Sequence, residues 1–221
     1  RTVEDTLRIR EEAKRENVKT VAVVGGGFIG VEMAENLLGL GLKVSLIQLD
    51  DQILTPIDRD MASFLHAHMR AKGVELLLGR KVTGFEETET GLAVLLEGSA
   101  ALRADMAVFA IGVVPESALA KAAGLELGVK GSISVNERMQ TSDPDIYAVG
   151  DAVSVSNPVT GQKAVVALAG PANKQGRVAA DNIAGLDSRY KGSAGSSVLK
   201  IFEMTAAFTG LNEQAAKAAG L

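Results

Sequence analysis

The sequence predicts an α/β fold built around a parallel β-sheet. Short apolar runs rich in β-branched residues alternate with longer segments of helical periodicity, and this alternation is typical of βαβ units. The clearest instance extends from Val21 to Gln48, where an apolar run, a glycine-rich turn, a helical segment and a second apolar run follow one another. Because parallel strands need a crossover between them, this order predicts two parallel strands joined by a helix.

The turn in this unit carries the spacing G-x-G-x-x-G, with Gly25, Gly27 and Gly30 at the three glycine positions. The apolar run of residues 20–24 precedes the turn, and helical periodicity follows it. The first glycine permits the tight turn, the second lets a pyrophosphate approach the backbone, and the third lets helix and strand pack closely. The unpaired N–H groups and the positive dipole end of the helix favour phosphates. The segment therefore predicts a dinucleotide-binding site.

Composition narrows the class of protein. With 221 residues, 47% of them hydrophobic and 23% charged, the chain is typical of globular proteins. With a net charge of −4, the chain lacks the excess of basic residues that is typical of nucleic-acid-binding proteins. No apolar run approaches the roughly 18 residues of a membrane span. The absence of cysteine excludes thiolate zinc sites and a cysteine nucleophile within these residues. We therefore expect a cytoplasmic protein with no nucleic-acid partner, no membrane partner and no metal site.

Both ends of the sequence indicate a fragment. The chain begins with Arg1 and stops at Leu221, directly after a run of helical character at residues 212–219. We therefore expect an internal piece of a longer polypeptide.

Further elements follow the first βαβ unit. Residues 58–73 have helical periodicity, and we expect the two histidines of this helix, His66 and His68, on a solvated face. The segments of residues 81–85 and 92–96 are separated by a polar turn that ends in glycine, which predicts a β-hairpin.

Two later strands are predicted from apolar runs. Residues 104–111 are almost all apolar, as expected of a strand that is buried on both faces. Residues 146–149 predict another buried strand, with Asp151 at its carboxyl end. In open α/β folds ligands bind at that end, and a carboxylate there can accept hydrogen bonds from a polyol or a ribose. The alternative role of Asp151 is a helix N-cap, although the residues after it are not helical in pattern.

A further helix is predicted over residues 172–183, with Pro171 at the favoured first position. Leu168 and Ala169 lie just before it, where unpaired backbone N–H groups attract negative charge. An ordinary capped helix is the alternative. The polar residues 187–193 predict a linker before the next strand.

Four ordered motifs resemble the flavin-dependent pyridine nucleotide-disulfide oxidoreductases, namely GGGFIGVEMAENL, AIGVVP, TSDPDIYAVGD and LAGPANKQGRVAADNIAG. The nearest branch contains the coenzyme A-disulfide reductases and the NADH oxidases or peroxidases. The resemblance implies a Rossmann-like NAD(P)-binding domain with a β-hairpin insertion at residues 1–115. It also implies the returning part of a Rossmann-like FAD-binding domain at 116–187 and the start of a dimerisation domain at 188–221.

Such an enzyme would form a homodimer and pass hydride from NAD(P)H to FAD. From FAD the electrons would go to a disulfide, a persulfide, a peroxide or oxygen. In that family the first flavin-binding glycine motif and the redox-active cysteine lie upstream of the nucleotide domain, and neither is present here. We therefore expect the chain alone to be inactive. The alternative is a nucleotide-binding regulatory or interaction module without redox activity.

The resemblance also assigns roles to individual residues. Phe28 would be an aromatic gate that covers the flavin until nicotinamide displaces it, and Glu32, in the first helical turn, would lie near nicotinamide and flavin. The alternatives are a packed core phenylalanine and a carboxylate that complements the helix dipole. Asp151 would hold the ribityl chain of FAD, and the turn of residues 168–170 would meet the pyrimidine edge. The residues implied for NAD(P) are Gly25, Gly27, Phe28, Ile29, Gly30, Glu32, Gln48 and Gly112, and those implied for FAD are Gly150, Asp151, Leu168 and Ala169.

Gln48 departs from the usual pattern. It follows Gly30 by 18 residues, where an aspartate or glutamate normally accepts the ribose 2′-OH of NAD. Glutamine can bond that hydroxyl but carries no charge to repel a 2′-phosphate. Residues 49–52 supply no arginine for such a phosphate, and they include two aspartates that would oppose it. The sequence therefore favours NADH and leaves NADPH open.

Overall fold

The computed structural model describes residues 2–221, which form two compact units. The first unit comprises residues 2–112 together with 198–206, and the second comprises residues 113–197 together with 207–221. Among the helices of the described residues, none combines the length and the apolar character that a membrane crossing requires.

A four-stranded parallel sheet lies at the centre of the first unit. In chain order the elements before residue 112 are α1 (Val3–Glu12), β1 (Thr20–Val24), α2 (Phe28–Gly39), β2 (Lys43–Ile47), α3 (Arg59–Ala71), β3 (Glu75–Leu77), β4 (Val82–Thr88), β5 (Gly91–Leu96), β6 (Leu102–Ala104) and β7 (Met106–Phe109). The sheet has the order β3-β2-β1-β7, and each pair of neighbours is parallel. This arrangement confirms the predicted α/β fold and its first βαβ unit.

Burial explains why β1 occupies the centre of this sheet. Its residues from Val21 to Val24 are all buried, as expected of a parallel strand covered on both faces. Helix α2 buries one stripe, formed by Val31, Ala34 and Leu37, at the spacing that places side chains on one helical face. Val31 and Leu37 each contribute about 1.5–3 kcal/mol when fully buried, and the single methyl group of Ala34 contributes less.

The predicted hairpin is present, and it is part of a three-stranded antiparallel sheet with the order β4-β5-β6. The predicted turn is too long, because β4 continues to Thr88 and the chain reverses at residues 89–90. The acidic residues of this segment lie on an exposed strand, where backbone pairing with β5 outweighs their low β-propensity.

The strand predicted over residues 104–111 is wrong in extent, because Asp105 divides it. The Asp105 carboxylate accepts hydrogen bonds from the N–H groups of Lys19 and Thr20, each at 2.8 Å, and from the Thr20 hydroxyl. Strand β6 therefore pairs in the antiparallel sheet, while β7 is an edge strand of the parallel sheet. Phe109 is 59% exposed, so β7 is not buried on both faces.

The elements after residue 112 are α4 (Ala118–Ala122), β8 (Ile133–Ser134), β9 (Val153–Ser156), β10 (Lys163–Val165), α5 (Ala169–Ile183), β11 (Ser197–Ile201), β12 (Met204–Phe208) and α6 (Glu213–Ala218), with 3-10 turns at Val129–Gly131 and Gly150–Ala152. Strands β8 and β9 pair in parallel, and β9 pairs with β10 in the antiparallel sense. The second unit therefore contains a small mixed sheet with α5 beside the Gly150–Ala152 turn.

Two predictions for the second unit are wrong. Residues 146–149 form no strand, because Tyr147 makes only an isolated bridge to Gln140, and no longer ladder extends the pairing within the described residues. The polar segment 187–193 is not wholly a solvated linker, since Tyr190 is buried in an apolar cluster with Val135, Met139, Val153, Val155 and Ala179. Burial of the large aromatic ring stabilises this packing, even though most of the neighbouring residues in the segment are polar.

The turn between β11 and β12 packs on helices of the first unit. The N–H of Phe202, which has φ +52°, donates to Glu35 Oε2 at 2.9 Å. Glu203 forms an ion pair with Lys72 at 2.6 Å, and the Phe202 ring contacts His68 edge-on. These contacts connect the turn to α2 and α3.

Candidate functional site

An open pocket of about 270 Å³ lies in the first unit, at the carboxyl ends of its parallel strands. Three segments form its walls: the glycine turn after β1, the loop after β2 and the residues after β7. Its lining residues are Gly25, Gly26, Gly27, Phe28, Gln48, Leu54, Thr55, Pro56, Ala110, Ile111 and Gly112. The structure thus brings together five of the residues predicted for NAD(P), namely Gly25, Gly27, Phe28, Gln48 and Gly112.

The glycine turn is shaped by two positions that accept only glycine. Gly25 has φ +108°, and a Cβ there would lie 2.3 Å from the carbonyl oxygen of Ala110. A Cβ on Gly30 would lie 1.8 Å from the carbonyl oxygen of Gly25. At Gly27, by contrast, no described atom lies within 4 Å of the Cβ position. The backbone at the entrance of the helix is therefore open to a close approach by a ligand.

Helix α2 begins beside this opening. Its N-cap is Gly27, which has no side chain that could cap the helix. The first turn of α2 contains no acidic residue. Its positive end is therefore available to an anion. Ile29 lies on the first turn and is exposed. Glu32 was predicted in the first turn, but the helix starts at Phe28, so Glu32 opens the second turn, exposed and outside the pocket lining.

Gln48 lies in the pocket wall, with both ends of its amide engaged. Its Oε1 accepts a hydrogen bond from the N–H of Gly26 at 2.7 Å, and its Nε2 donates to Asp50 Oδ2 at 2.7 Å. The side chain therefore connects the glycine turn to an exposed carboxylate in the loop after β2.

Arg80 is a cation near this position that inspection of residues 49–52 missed. Its N–H donates to the backbone carbonyl of Gln48 at 2.9 Å, and its side chain is exposed and forms no ion pair with another described residue. The signal lies in the topology: β2 and β3 are parallel neighbours, so the residues that follow them meet at one edge of the sheet. Residues 32 positions apart in the chain therefore become adjacent.

The expectation that both histidines lie on a solvated face is met only in part by His68, whose side chain is 20% exposed and whose ring contacts Phe202, and it is wrong for His66. This side chain is buried, and its Nε2 accepts a hydrogen bond from the N–H of Ile53 at 3.2 Å. Burial lowers the pKa of His66, and the charge of Arg70 lowers it further. Neutral His66 therefore holds the loop whose next residues, Leu54 to Pro56, line the pocket.

The residues predicted for FAD lie in the second unit, where a buried amide fixes one of their segments. Gln175 is only 1% exposed, and its Oε1 accepts a hydrogen bond from the N–H of Gly150 at 2.7 Å. Gly150 has φ +84° and opens the 3-10 turn that carries exposed Asp151. Sequence inspection did not single out Gln175, because a polar residue in a helical run gives no sign of burial.

Helix α5 begins two residues before the predicted first position. Leu168 is its N-cap, and Ala169 is its first residue, so Pro171 is third in the helix. Proline is tolerated there because the first-turn N–H groups have no intrahelical partner. The apolar side chain of Leu168 makes no capping hydrogen bond to the helix, and the first turn of α5 contains no acidic residue. Across residues 2–221, no cluster of three or more His, Asp or Glu side chains could hold a metal ion.

The chain is similar to known proteins over nearly its whole length. The family described as "Pyridine nucleotide-disulphide oxidoreductase" matches residues 1–214. An NADH oxidase of Methanocaldococcus jannaschii is 40% identical over 215 residues, which are 96% of this chain and 47% of that protein. An NAD(P)H coenzyme A polysulfide/persulfide reductase of Pyrococcus horikoshii is 34% identical over 213 residues, covering 96% of this chain and 47% of that protein.

Solved structures show the same similarity. Reduced CoADR-RHD of Bacillus anthracis matches with a TM-score of 0.95 and 48% identity, covering all of this chain and 40% of that chain. An NAD-dependent persulfide reductase from A. fulgidus matches with a TM-score of 0.95 and 38% identity, covering all of this chain and 41% of that chain. This chain spans about half the length of the curated relatives that it matches.

Proposed function

This chain belongs to the pyridine nucleotide-disulphide oxidoreductase family, and we propose that it is part of an FAD-dependent NAD(P)H oxidoreductase. The full-length protein would move hydride from NAD(P)H to FAD, and the electrons would then pass to a disulfide, a persulfide, a peroxide or oxygen. The observation that carries this proposal is the pocket in which an open glycine turn meets an uncapped helix start.

The residues of the first unit fit a nicotinamide nucleotide. The N–H groups at the start of α2 would bind the pyrophosphate, and the open backbone at Gly27 allows its approach. Gly25 and Gly30 maintain the turn, while Gln48 and Gly112 line the pocket in the segments after β2 and β7. NADH is the favoured nucleotide, because two aspartates follow β2 closely.

The residues of the second unit fit one part of a flavin site. Asp151 would accept hydrogen bonds from the ribityl hydroxyls, positioned by the Gly150 turn that Gln175 holds. Leu168 and Ala169 form an uncapped helix start suited to the negative charge that develops on a reduced flavin. FAD supplies the two-electron acceptor when it is bound. The remainder of its site would lie in the part of the protein outside this chain.

The domain assignment follows from the family. We assign residues 1–115 to the nucleotide domain, 116–187 to the flavin domain and 188–221 to the start of a dimerisation domain. The full-length protein would be a cytoplasmic homodimer. Phe28 would gate the flavin and Glu32 would lie near the nicotinamide, while the redox cysteine would lie outside these residues, which contain none.

Flavin content tests this proposal against a nucleotide-binding module without redox activity. The full-length protein should purify with stoichiometric FAD, whereas the 221-residue chain should be colourless, because it holds only part of the flavin site. Absorbance spectra of both proteins measure the difference. A full-length protein that binds NADH but no flavin would favour the module, and a flavin-loaded 221-residue chain would contradict the domain assignment.

A further inference from the structure

Two neighbouring carboxylates after β2 differ in their surroundings. Asp51 forms an ion pair with Arg59 at 2.6 Å, so its charge is balanced locally. Asp50 is exposed and has no cationic group within ion-pair distance among residues 2–221. Of the two, Asp50 therefore retains an unbalanced negative charge that can interact electrostatically with a ligand in the adjacent pocket.

Asp50 is also held in place. Gln48 Nε2 donates to Asp50 Oδ2 at 2.7 Å, while Gln48 Oε1 accepts from the N–H of Gly26 in the glycine turn at 2.7 Å. The N–H of Gly79 donates to the backbone carbonyl of Asp50 at 2.8 Å. The carboxylate is thus tied through one side chain to the turn that begins the pocket, and its backbone is tied to the segment after β3.

The two side chains differ in what they can offer a sugar hydroxyl. Each end of the Gln48 amide already has a partner, so its hydrogen-bonding capacity is partly used. The Asp50 carboxylate has a second oxygen, and a hydrogen bond to an ionised acceptor is roughly twice as strong as a neutral one. Its charge would also oppose a phosphate on the same sugar.

We propose that Asp50, positioned by Gln48, accepts the adenosine ribose 2′-OH of the nucleotide and discriminates against a 2′-phosphate. The acidic group is thereby displaced two residues beyond the end-of-strand position, and Gln48 acts as a positioning residue. This inference rests on the proposed nucleotide site, which it refines. Arg80, whose backbone bonds that of Gln48, is a cation that a 2′-phosphate could use once the charge of Asp50 is removed.

Binding of NAD⁺ and NADP⁺ to the full-length flavoprotein tests the role of Asp50, because neither oxidised nucleotide reduces the flavin. Dissociation constants are measured by calorimetry for wild type, Asp50→Asn and Asp60→Asn. The Asp60 variant is the matched control, since it removes an exposed carboxylate with the same change of net charge. We expect Asp50→Asn to lower the preference for NAD⁺ about tenfold, which corresponds to about 1.4 kcal/mol. Asp60→Asn should change the preference less than about twofold.

A double-mutant cycle separates positioning from direct contact. Gln48→Met keeps the length of the side chain but can neither donate to Asp50 nor accept from the Gly26 N–H. Loss of the Gly26 bond should weaken the binding of both nucleotides alike, whereas loss of the Asp50 bond should lower the preference for NAD⁺ by about threefold. In the Asp50→Asn background the same substitution should have little further effect on the preference, because Gln48 acts through Asp50. Additive effects would show that Gln48 influences the preference independently of Asp50 and would overturn its positioning role.

The outcomes distinguish this inference from the proposed function. If wild type binds NAD⁺ and Asp50→Asn retains its nucleotide preference, Asp50 is not the discriminating group and the inference fails alone. If wild type binds neither nucleotide, the proposed site fails and the inference fails with it. Melting temperatures of the two aspartate variants should match wild type, because both side chains are exposed. Gln48→Met should melt at a lower temperature, because the Gly26 N–H loses its acceptor. Retained binding of at least one of the two nucleotides then shows that this variant is folded.

Discussion

Gln175 Oε1 accepts a hydrogen bond from the N–H of Gly150 at 2.7 Å, and this contact joins two segments of the candidate flavin site. Gly150 precedes Asp151, while Gln175 lies on the helix that begins with Ala169. Because Gln175 is almost completely buried, its amide has no solvent to replace Gly150 as a partner. Asp151 is therefore positioned by a residue that would not itself touch the flavin.

Gln175→Leu should destabilise the second unit and weaken flavin retention. The substitution leaves the Gly150 N–H without its acceptor, which costs about 1–3 kcal/mol when the group is buried. Urea unfolding and the FAD dissociation constant of the full-length protein measure the two effects. The adjacent exposed Lys174→Ala is the control and should change neither quantity. Unaltered FAD affinity in Gln175→Leu, with the expected loss of stability, would limit Gln175 to a role in folding.

Phe28→Ala should leave FAD bound and make the flavin more accessible to solvent. Phe28 is only half-buried and lines the nucleotide pocket, so the loss of stability should be well below the roughly 3–5 kcal/mol of a core phenylalanine. Thermal melts, iodide quenching of flavin fluorescence and NADH titrations of the full-length protein measure these effects. A large drop in melting temperature with unchanged quenching would identify Phe28 as core packing.

His66 should make the stability of the first unit depend on pH. Its pKa is lowered from 6.5, so the folded protein favours the neutral form. The stabilisation is complete above 6.5 and is lost as the pH falls below 6.5 towards the folded value. His66→Gln keeps an acceptor for the Ile53 N–H but does not titrate, so its unfolding free energy should fall less between neutral pH and about pH 5. Urea unfolding at a series of pH values compares the two proteins, and parallel curves would contradict this role.

Asp105→Asn should destabilise the first unit at neutral pH. Hydrogen bonds, chiefly from the Lys19 N–H, lower the pKa of Asp105 below 3.8, so its stabilisation is present above 3.8 and is lost as the pH falls through the folded value. The substitution weakens charge-assisted bonds and should cost about 1–2 kcal/mol at pH 7. The exposed Glu89→Gln makes the same charge change and should have little effect. A difference between wild type and Asp105→Asn that persists at acidic pH would contradict the assignment.

Periodicity and glycine spacing were sufficient to predict the first βαβ unit, because its signals are local. The glycine turn, α2 and the neighbouring strands all depend on residues within one continuous segment, Val21 to Gln48. Residues 146–149 show the limit of the same reasoning. An apolar run becomes a strand only where neighbouring strands pair along its length, and here a single bridge forms.

The residues whose placement the sequence did not predict depend on contacts between segments that are distant in the chain. Arg80 meets Gln48 because β2 and β3 are neighbours, and Asp105 interrupts an apolar run because it bonds Lys19 and Thr20. Gln175 and His66 are polar residues on helices whose burial follows from packing. The hydrogen bond from Gln48 to Asp50 joins residues that are close in sequence. A glutamine amide can bond several neighbouring groups, however, and the strand pattern does not indicate which of them it bonds.

We propose that the nucleotide pocket of this chain delivers hydride to FAD in the full-length protein. Anaerobic stopped-flow mixing of that protein with NADH tests it most directly, with flavin absorbance as the measurement. We expect the oxidised flavin band to bleach with saturation in NADH concentration, and more efficiently with NADH than with NADPH. A flavin that remains oxidised at saturating concentrations of both nucleotides would contradict the claim.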